Sequence, residues 1–277
     1  MERLLLVDGS NLLFQMFYGM PSRIINKEGK PIQGILGFVG ALRKIITATS
    51  PTHICVLFDG EHENPRSALY EDYKSNRIDY SSIPLEDTPF SQLPGIYKAL
   101  EYLNIPFKEI QDFETDDYIA TYTKTYHTQM EIVIASWDSD FFSLINDKVQ
   151  IFRYRGKSSY FCDIKYLNNK LHITPDKYIF HKSLVGDSAD NIKGIPKIGP
   201  VTATKIVNSY SSIEELYNNL DTCKYRNLLK DAKEQLLLNE KLISFNSIEK
   251  LPFSILDLQY TSSLENTIDI LKNIYVY

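Results

Sequence analysis

Short apolar runs that alternate with helical patterns fill the first half of the sequence. The apolar runs cover residues 4–7, 54–58, 132–135 and 149–152. The helical patterns between them cover residues 34–47, 93–103 and 116–125. Strands that alternate with helices are typical of a parallel sheet with right-handed crossovers. From about residue 175 onward the pattern becomes helical, with no convincing strand. The sequence therefore predicts an α/β sheet core over residues 1–165 and an all-helical region over residues 166–277.

The sequence gives no sign of a membrane or an oxidising compartment. No run approaches the ~18–20 apolar residues of a membrane span. The N-terminus lacks the basic head and cleavage site of a signal peptide. Cys55, Cys162 and Cys223 are widely spaced and form no C-x-x-C pair, which favours a reducing environment. We therefore expect a cytoplasmic protein with no membrane partner.

Acidic residues stand at the ends of three predicted strands. Asp8 and Asp59 end the first two, and Asp138 and Asp140 follow the third. Ligands of open α/β sheets bind beyond the carboxyl ends of the strands. A single aspartate at a strand end is most often a turn or cap residue, so each motif alone is weak.

Three more acids begin the third helical pattern: Glu114, Asp116 and Asp117. Capping of the helix competes with metal binding as an explanation for the last two. Seven carboxylates at one sheet edge would repel each other unless cations neutralised them. Mg²⁺ or Mn²⁺ are the natural partners of such oxygen ligands, and a two-ion site suits phosphoryl transfer. A haloacid-type phosphatase is weakly supported, because Asp8 lacks a second aspartate two residues later.

The segment "VGDSADNIKGIPKIGPVTATKI", residues 185–206, adds Asp187 and Asp190 and then two glycine turns. Gly194 and Gly199 allow a close approach of the backbone. Turns with free N–H groups before a helix are suited to phosphate, and Lys197 adds positive charge. A plain loop between two packed helices is the alternative.

Six motifs in this order resemble those of the 5′-nuclease family, which includes the flap endonucleases and the 5′→3′ exonuclease domains of bacterial DNA polymerase I. They lie within residues 4–216 and read "LLLVDGSNLLFQMFY", "VLFDG", "PRSALYEDYKSNR", "FETDDYIA", "DSDFFSLI" and "LVGDSADNIKGIPKIGPVTATKI". The resemblance implies a PIN-like core with a helical arch at about residues 62–92. It also implies a helix–three-turn–helix at about residues 183–210 that grips duplex DNA. Because the chain ends near residue 277, we expect a stand-alone relative of the exonuclease domain.

The resemblance also implies nine metal ligands for two Mg²⁺ or Mn²⁺ ions. Those around the first ion are Asp8, Asp59, Glu114, Asp116 and Asp117. Those around the second are Asp138, Asp140, Asp187 and Asp190. The formal net charge of −5 argues superficially against a nucleic-acid partner. Removing nine negative charges from −5 leaves +4, so the rest of the protein is mildly basic.

Residues of "YEDYKSNR" match the base of the arch. The resemblance implies that Lys74 acts on the scissile phosphate and that Arg77 and Arg66 are further phosphate contacts. It implies catalytic roles for Lys74, Arg77, Asp116 and Asp117. Tyr73 could stack on the terminal base. An exposed helix with ordinary ion pairs is the alternative, and Ser67 departs from the histidine of many relatives.

Main-chain carbonyls of the glycine turns hold K⁺ in relatives, which implies a potassium site in this chain at Leu184, Val185, Lys193, Ile195 and Ile198. The implied contacts to duplex DNA are Lys197, Ile198, Gly199, Pro200, Val201, Thr202 and Lys205. The potassium site rests on the resemblance alone, since the sequence shows only that the turn has room for an ion.

The predicted function is a Mg²⁺-dependent 5′→3′ exonuclease and flap endonuclease that hydrolyses DNA in replication or repair. Its partner would be DNA with 5′ ends, flaps or nicks, with RNA-primed ends left open and protein partners unknown. Two alternatives remain: a junction-binding protein that does not cut, and a PIN-type ribonuclease. The sequence leaves the role of residues 217–277 unassigned.

Overall fold

A six-stranded sheet forms the centre of the computed structural model, which describes residues 2–60, 65–261 and 265–276. The strands are β1 (Arg3–Asp8), β2 (His53–Asp59), β3 (Phe107–Ile110), β4 (Glu131–Ala135), β5 (Val149–Arg153) and β6 (Tyr160–Cys162). Their order is β3-β2-β1-β4-β5-β6. All neighbours are parallel except β5 and β6, which are antiparallel. The predicted parallel sheet is confirmed, and its four apolar runs are β1, β2, β4 and β5.

Eleven α-helices are present in the described residues. They are α1 (Gly9–Gly19), α2 (Gln33–Thr49), α3 (Leu93–Tyr102), α4 (Thr115–Tyr126), α5 (Ile164–Leu171), α6 (Tyr178–Val185), α7 (Pro200–Ser209), α8 (Ile213–Asn218), α9 (Arg226–Leu229), α10 (Lys233–Ile243) and α11 (Thr267–Asn273). The three predicted helical patterns correspond to α2, α3 and α4. None of the described helices combines the length and apolar composition that crossing a bilayer requires.

Alternation of side chains along β1 divides the interior into two cores. Leu4 and Leu6 face one side of the sheet, and Leu5 and Val7 face the other, as the period of two in a strand requires. The first side packs against α4 and continues into the helical region. The second side packs against α2, α3 and α11. The sheet is therefore covered on both faces by packed helices.

The helical region places a tight two-stranded ladder between α6 and α7. Its strands are β7 (Gly186–Asp187) and β8 (Ile192–Lys193). The prediction of no strand after residue 175 was wrong for these four residues. Two residues per strand are too few to produce an apolar alternation in the sequence. The ladder folds the chain back sharply, so that Asp187 and Asp190 lie in one short loop.

Residues after 244 return to the sheet. The backbone N–H of Tyr260 donates to the carbonyl of Thr52 at 2.9 Å, and α11 packs against α2. The C-terminal part of the chain therefore contributes to both cores. The division at residues 165 and 166 stays a prediction.

The predicted arch segment, residues 62–92, is described from residue 65 onward; residues 62–64 lie outside the described part. Residues 65–77 form successive turns. Three 3-10 helices follow, at Tyr80–Ser82, Leu85–Asp87 and Pro89–Gln92. The described helical character of this segment is thus 3-10 rather than α. Hydrogen bonds from Lys74 and Arg77 tie the turns to Glu114 and Asp190.

Candidate metal centre

The carboxyl ends of β1, β2 and β4 bring Asp8, Asp59 and Asp138 to one edge of the sheet. The Asp8 carboxylate caps α1 by accepting a hydrogen bond from the Asn11 N–H at 2.9 Å, and it accepts another from Ser136 Oγ at 2.8 Å. Asp59 accepts from the N–H of Thr115 at 3.0 Å, at the start of α4. Local caps therefore orient the acids that the strand ends supply.

Close packing of carboxylates changes their acidity. Burial raises the pKa of Asp8 to about 7, and the nearby charges of Asp59 and Asp138 contribute in the same direction. Removal from water raises the pKa of Asp116 well above its ordinary value, with further increases from the charges of Asp138 and Asp8. Such mutual repulsion is the condition that a bound cation relieves.

A second group of acids lies between the sheet and the helical region. Asp140, Asp187 and Asp190 each offer a carboxylate oxygen, and these oxygens lie within 4.8 Å of one another. We call these three residues the acidic triad. Within the described ranges, no other set of three acidic, histidine or cysteine side chains meets so closely. Three half-buried carboxylates are a suitable donor set for one hard divalent cation.

The predicted second-ion ligands are thus brought together except for Asp138. Its carboxylate instead accepts a hydrogen bond from the Asp140 N–H at 2.8 Å, and its charge acts on Asp8 and Asp116. Asp138 is therefore adjacent to Asp140 of the acidic triad and close enough to Asp8 and Asp116 to raise their pKa values. The assignment of individual ligands to each ion stays a prediction.

Lys182 on α6 reaches into the acidic triad. Its ammonium donates to Asp140 and lies 2.5 Å from Asp187 Oδ2, and all three side chains are at most 14% exposed. Burial lowers the pKa of Lys182, but the negative charges of Asp140 and Asp187 outweigh that effect and raise it. Burial also raises the pKa of Asp140 to about 7, although Lys182 opposes the shift.

Glu114 is held by the base of the arch. Lys74 donates to Glu114 and lies 4.0 Å from Asp190. Tyr73 is buried, and its hydroxyl donates to Glu114 at 3.3 Å and to Asp190 at 3.3 Å. The backbone N–H of Lys74 donates to the carbonyl of Asp190 at 3.0 Å. The arch base therefore joins one acid of each predicted ion group.

Asp117 has a different environment from the other acids. It is fully buried and accepts four hydrogen bonds, two from Arg66 at 2.7 and 3.0 Å and two from Asn246 at 2.7 and 3.1 Å. A carboxylate has about four lone-pair sites, so these donors use its acceptor capacity. Its role as a metal ligand stays a prediction.

Arg66 is also fully engaged. Its five N–H groups donate to Glu114, Asp117 and the carbonyls of Leu242 and Ser244, and the residue is 4% exposed. A direct phosphate contact would require some of these bonds to break, so that prediction remains untested. The predicted stacking of Tyr73 on a base is likewise untested, because the Tyr73 side chain is buried. Arg77, by contrast, is 58% exposed and bonds Asp190 at 2.8 Å.

The glycine turns lie beside the acidic triad and present a mostly exposed surface. The backbone at Gly194 is closely packed, since a methyl group there would overlap the carbonyl oxygen of Val185. Gly199 is open, with no described atom within 4 Å of where a Cβ would stand. The predicted DNA contacts with exposed side chains or backbone are Lys197, Gly199, Pro200, Val201 and Lys205.

Among the other predicted DNA contacts, Thr202 is half-buried and Ile198 is buried. Some of the carbonyls predicted to bind K⁺ already accept hydrogen bonds. Leu184 accepts from Ile195, and Ile195 accepts from Ile198. Lys193 accepts from both Gln235 and Asn239.

Trp137 precedes Asp138 and links the centre to β5. Its backbone N–H donates to Asn11 Oδ1 at 3.1 Å, and its indole N–H donates to the carbonyl of Tyr154 at 2.9 Å. The guanidinium of Arg153 lies 5.3 Å from the centre of its ring. Trp137 thus holds the loop that carries Asp138 against the sheet.

Three residues of the centre were missed by sequence reasoning: Ser136, Lys182 and Asn246. Lys182 lies five residues before Asp187 in "HKSLVGD", so its place in the motif was a usable signal. Ser136 lies two residues before Asp138, and this spacing is a weaker signal. Asn246 follows α10 and carries no local signal.

Comparisons with known proteins agree with this architecture. The family model described as the 5′-3′ exonuclease N-terminal resolvase-like domain matches residues 3–172, and the one described as the 5′-3′ exonuclease C-terminal SAM fold matches residues 173–266. A 5′-3′ exonuclease of Buchnera aphidicola is 30% identical, over 98% of this chain and 96% of its own length.

The DNA polymerase I of Bacillus subtilis is 30% identical over 99% of this chain, which spans only 31% of that polymerase. Among solved structures, the bacteriophage T5 D15 flap endonuclease in a pseudo-enzyme-product complex with DNA and metal ions superposes with a TM-score of 0.70. It is 22% identical, with 87% of this chain and 89% of that one covered. The expected fold, a PIN-like core followed by a helical region, is confirmed. Because the two family models together match nearly the whole sequence in order, the chain belongs to the 5′-3′ exonuclease family.

Proposed function

We propose that this protein is a divalent-metal-dependent nuclease that hydrolyses phosphodiester bonds in DNA near 5′ ends, flaps or nicks, as a 5′→3′ exonuclease and a flap endonuclease. The observation that carries the proposal is the meeting of the acidic triad with the acids at the ends of β1, β2 and β4. Lys74 and the glycine turns border the same centre. The printed names of the Buchnera exonuclease and the T5 flap endonuclease support the same activity.

Two Mg²⁺ or Mn²⁺ ions are the proposed cofactors. The acidic triad, with Asp138 beside it, would hold one ion. The group formed by Asp8, Asp59, Glu114 and Asp116 would hold the other, and Asp117 would join it by releasing some of its hydrogen bonds from Arg66 and Asn246. Oxygen-only donor sets suit these hard cations. When bound, the ions would supply the Lewis acidity that phosphodiester hydrolysis requires.

Lys74 and Arg77 would bind the phosphate at which cleavage occurs. Both stand at the arch base, between Glu114 and Asp190. Positive groups fixed where negative charge develops stabilise a phosphoryl-transfer transition state. We propose that both side chains exchange their present carboxylate partners for the substrate phosphate. In this role they orient the phosphate and offset its charge.

The glycine turns would grip the duplex part of the substrate. The exposed Lys197 and Lys205 offer cations, and the N-terminus of α7 offers backbone N–H groups. We also propose K⁺ at the carbonyls of the turns. Because Lys193 already accepts two hydrogen bonds, the carbonyls of Leu184, Val185, Ile195 and Ile198 are the better candidates.

A cytoplasmic site of action is part of the proposal. Cys55, Cys162 and Cys223 are free and buried, a state compatible with a reducing compartment.

Cleavage of a 5′-labelled flap substrate, with Mg²⁺ or with a chelator, tests the function. We expect products cut near the branch point only when Mg²⁺ is present, and product length separates the exonuclease and flap modes. Asp116→Ala should abolish cleavage while a gel shift still shows DNA binding. Asp231→Ala is the matched control, because its side chain is 86% exposed.

Two alternatives give different results in the same assay. A junction-binding protein would shift the flap substrate without cutting it under any metal condition. A PIN-type ribonuclease would cut a single-stranded RNA control and leave the DNA flap intact. Near-normal turnover by Asp116→Ala would show that Asp116 is not a catalytic residue.

A further inference from the structure

Lys182 shares the space in which a cation would contact the acidic triad. Its ammonium touches Asp140 and lies 2.5 Å from Asp187 Oδ2. The lysine side chain is 10% exposed, and the two aspartates are 13% and 14% exposed. The contacts therefore occur inside a nearly closed site and not on the open surface.

The charges of the metal-free triad are already largely offset. When all three carboxylates are ionised they bring three negative charges. Lys182 bonds Asp140 and Asp187, Arg77 bonds Asp190, and Lys74 lies 4.0 Å from Asp190. Arg77 is 58% exposed and can leave toward solvent. Lys182 is confined, so its positive charge acts on any ion that enters.

An ammonium and a divalent ion would compete for the same oxygen atoms. A metal ion within coordination distance of Asp140 and Asp187 would stand only a few ångströms from the present position of the Lys182 nitrogen. Like charges at such a distance repel strongly where water is scarce. Lysine has a flexible four-carbon stem and binds as a point charge, so its head can move while α6 stays in place.

We propose that Lys182 is a tethered counter-cation of the acidic triad, which neutralises it in the metal-free protein and must be displaced when a divalent ion binds there. The inference rests on the metal centre of the proposed function. It assigns Lys182 a positioning role: the lysine keeps Asp140 of the sheet edge and Asp187 of the helical region together until an ion replaces it. The second ion then binds weakly in the absence of DNA, because it must expel a cation that is already present.

Binding of Mn²⁺ to the DNA-free protein tests this role. Lys182→Met keeps the length of the side chain and removes its charge. We expect the weaker Mn²⁺ site of this variant to bind about tenfold more tightly in calorimetric titration. In chelator, its melting temperature should fall below that of the wild type, because the triad loses its counter-charge. Lys44→Met, at an exposed position of α2, is the control and should leave both quantities unchanged.

Unchanged or weaker Mn²⁺ binding by a folded Lys182→Met protein would overturn the inference. A measurement on the wild type removes dependence on the variant's folding. The ¹⁵Nζ-bound protons of Lys182 should exchange slowly with water in chelator and faster after Mg²⁺ is added, and an exchange rate that Mg²⁺ leaves unchanged would equally contradict displacement. Absence of Mn²⁺ binding by both wild type and variant would contradict the metal centre itself, whereas equal binding would contradict only the role of Lys182.

Discussion

Arg66 and Asp117 form a bidentate ion pair, with distances of 2.7 and 3.0 Å, in which the side chains are 5% and 0% exposed. The pair joins the arch base to the first turn of α4. Asn246 and the carbonyls of Leu242 and Ser244 complete its hydrogen bonds. The segment after α10 is therefore part of the support of the metal centre, which gives a structural role to part of residues 217–277.

Removal of Arg66 should destabilise the protein strongly. Arg66→Ala leaves Asp117 buried without a counter-charge and leaves Glu114 with Lys74 alone. Breaking a buried pair costs about 3–5 kcal/mol. Urea unfolding measures the loss. Arg77→Ala is the contrast, because its side chain is 58% exposed and its removal should change stability by less than about 1 kcal/mol. Equal stability of the two variants would refute the supporting role of Arg66.

The metal-free protein should become less stable as pH rises from about 5 to 7. Burial raises the pKa of Asp8 and of Asp140 from 3.8 to about 7. Between these values the folded state holds protons that the unfolded chain has released, so stability falls with rising pH. The loss is on the order of a few kcal/mol in total.

Melting temperatures in chelator across this pH range check that expectation. Mg²⁺ should reduce the fall, since it favours the ionised carboxylates. Asp8→Asn should flatten the profile, because the amide does not titrate. A melting temperature that rises through this range in chelator would contradict the assigned environment of Asp8 and Asp140.

Lys74→Ala should lower the rate of cleavage more than the affinity for DNA. Lys74 lies between Glu114 and Asp190, where its charge would act on the transition state. Loss of one such group typically lowers the rate by about 10²–10³-fold. Single-turnover kinetics and gel shift separate the two quantities, with Lys44→Ala as a control. An effect limited to affinity would make Lys74 a binding residue only.

Gly199→Asp should weaken duplex binding without unfolding the protein. The position has φ of −92° and open space around it, so a side chain fits the fold but places negative charge where phosphate is expected. Gly194→Ala should instead destabilise the folded protein, because its methyl group would overlap the carbonyl of Val185. Thermal melting and gel shift on both variants distinguish charge repulsion from misfolding. Unchanged duplex binding by Gly199→Asp would exclude the turn from the interface.

The sequence predicted the centre of the sheet well and its edges poorly. β1, β2 and β4 are apolar on both faces, which produces unbroken apolar runs in the sequence, and in β5 only Gln150 interrupts the run. β3 reads FKEI, with only its last residue buried, and β6 has three residues. Short strands of that kind do not differ from loops in composition. The helix α1 was missed because its first residues, Gly9 and Ser10, are typical of turns.

Within the site, the residues that could be predicted are those whose positions follow from local sequence patterns. Asp8, Asp59 and Asp138 follow strands, and strand ends of a parallel sheet meet by topology. Lys182 and Asn246 reach the centre only because α6 and the segment after α10 dock against the sheet. That docking depends on packing between distant segments, so no local pattern indicates Asn246, and Lys182 is indicated only by its closeness to Asp187 in the sequence.

Trp137 is the single tryptophan of the chain, and it immediately precedes Asp138. Its indole is bonded to Tyr154 and faces Arg153. Intrinsic fluorescence excited at the tryptophan band therefore originates beside the metal centre and nowhere else. We therefore expect binding of an ion at the proposed centre to change this emission, which needs neither a dye nor an engineered label.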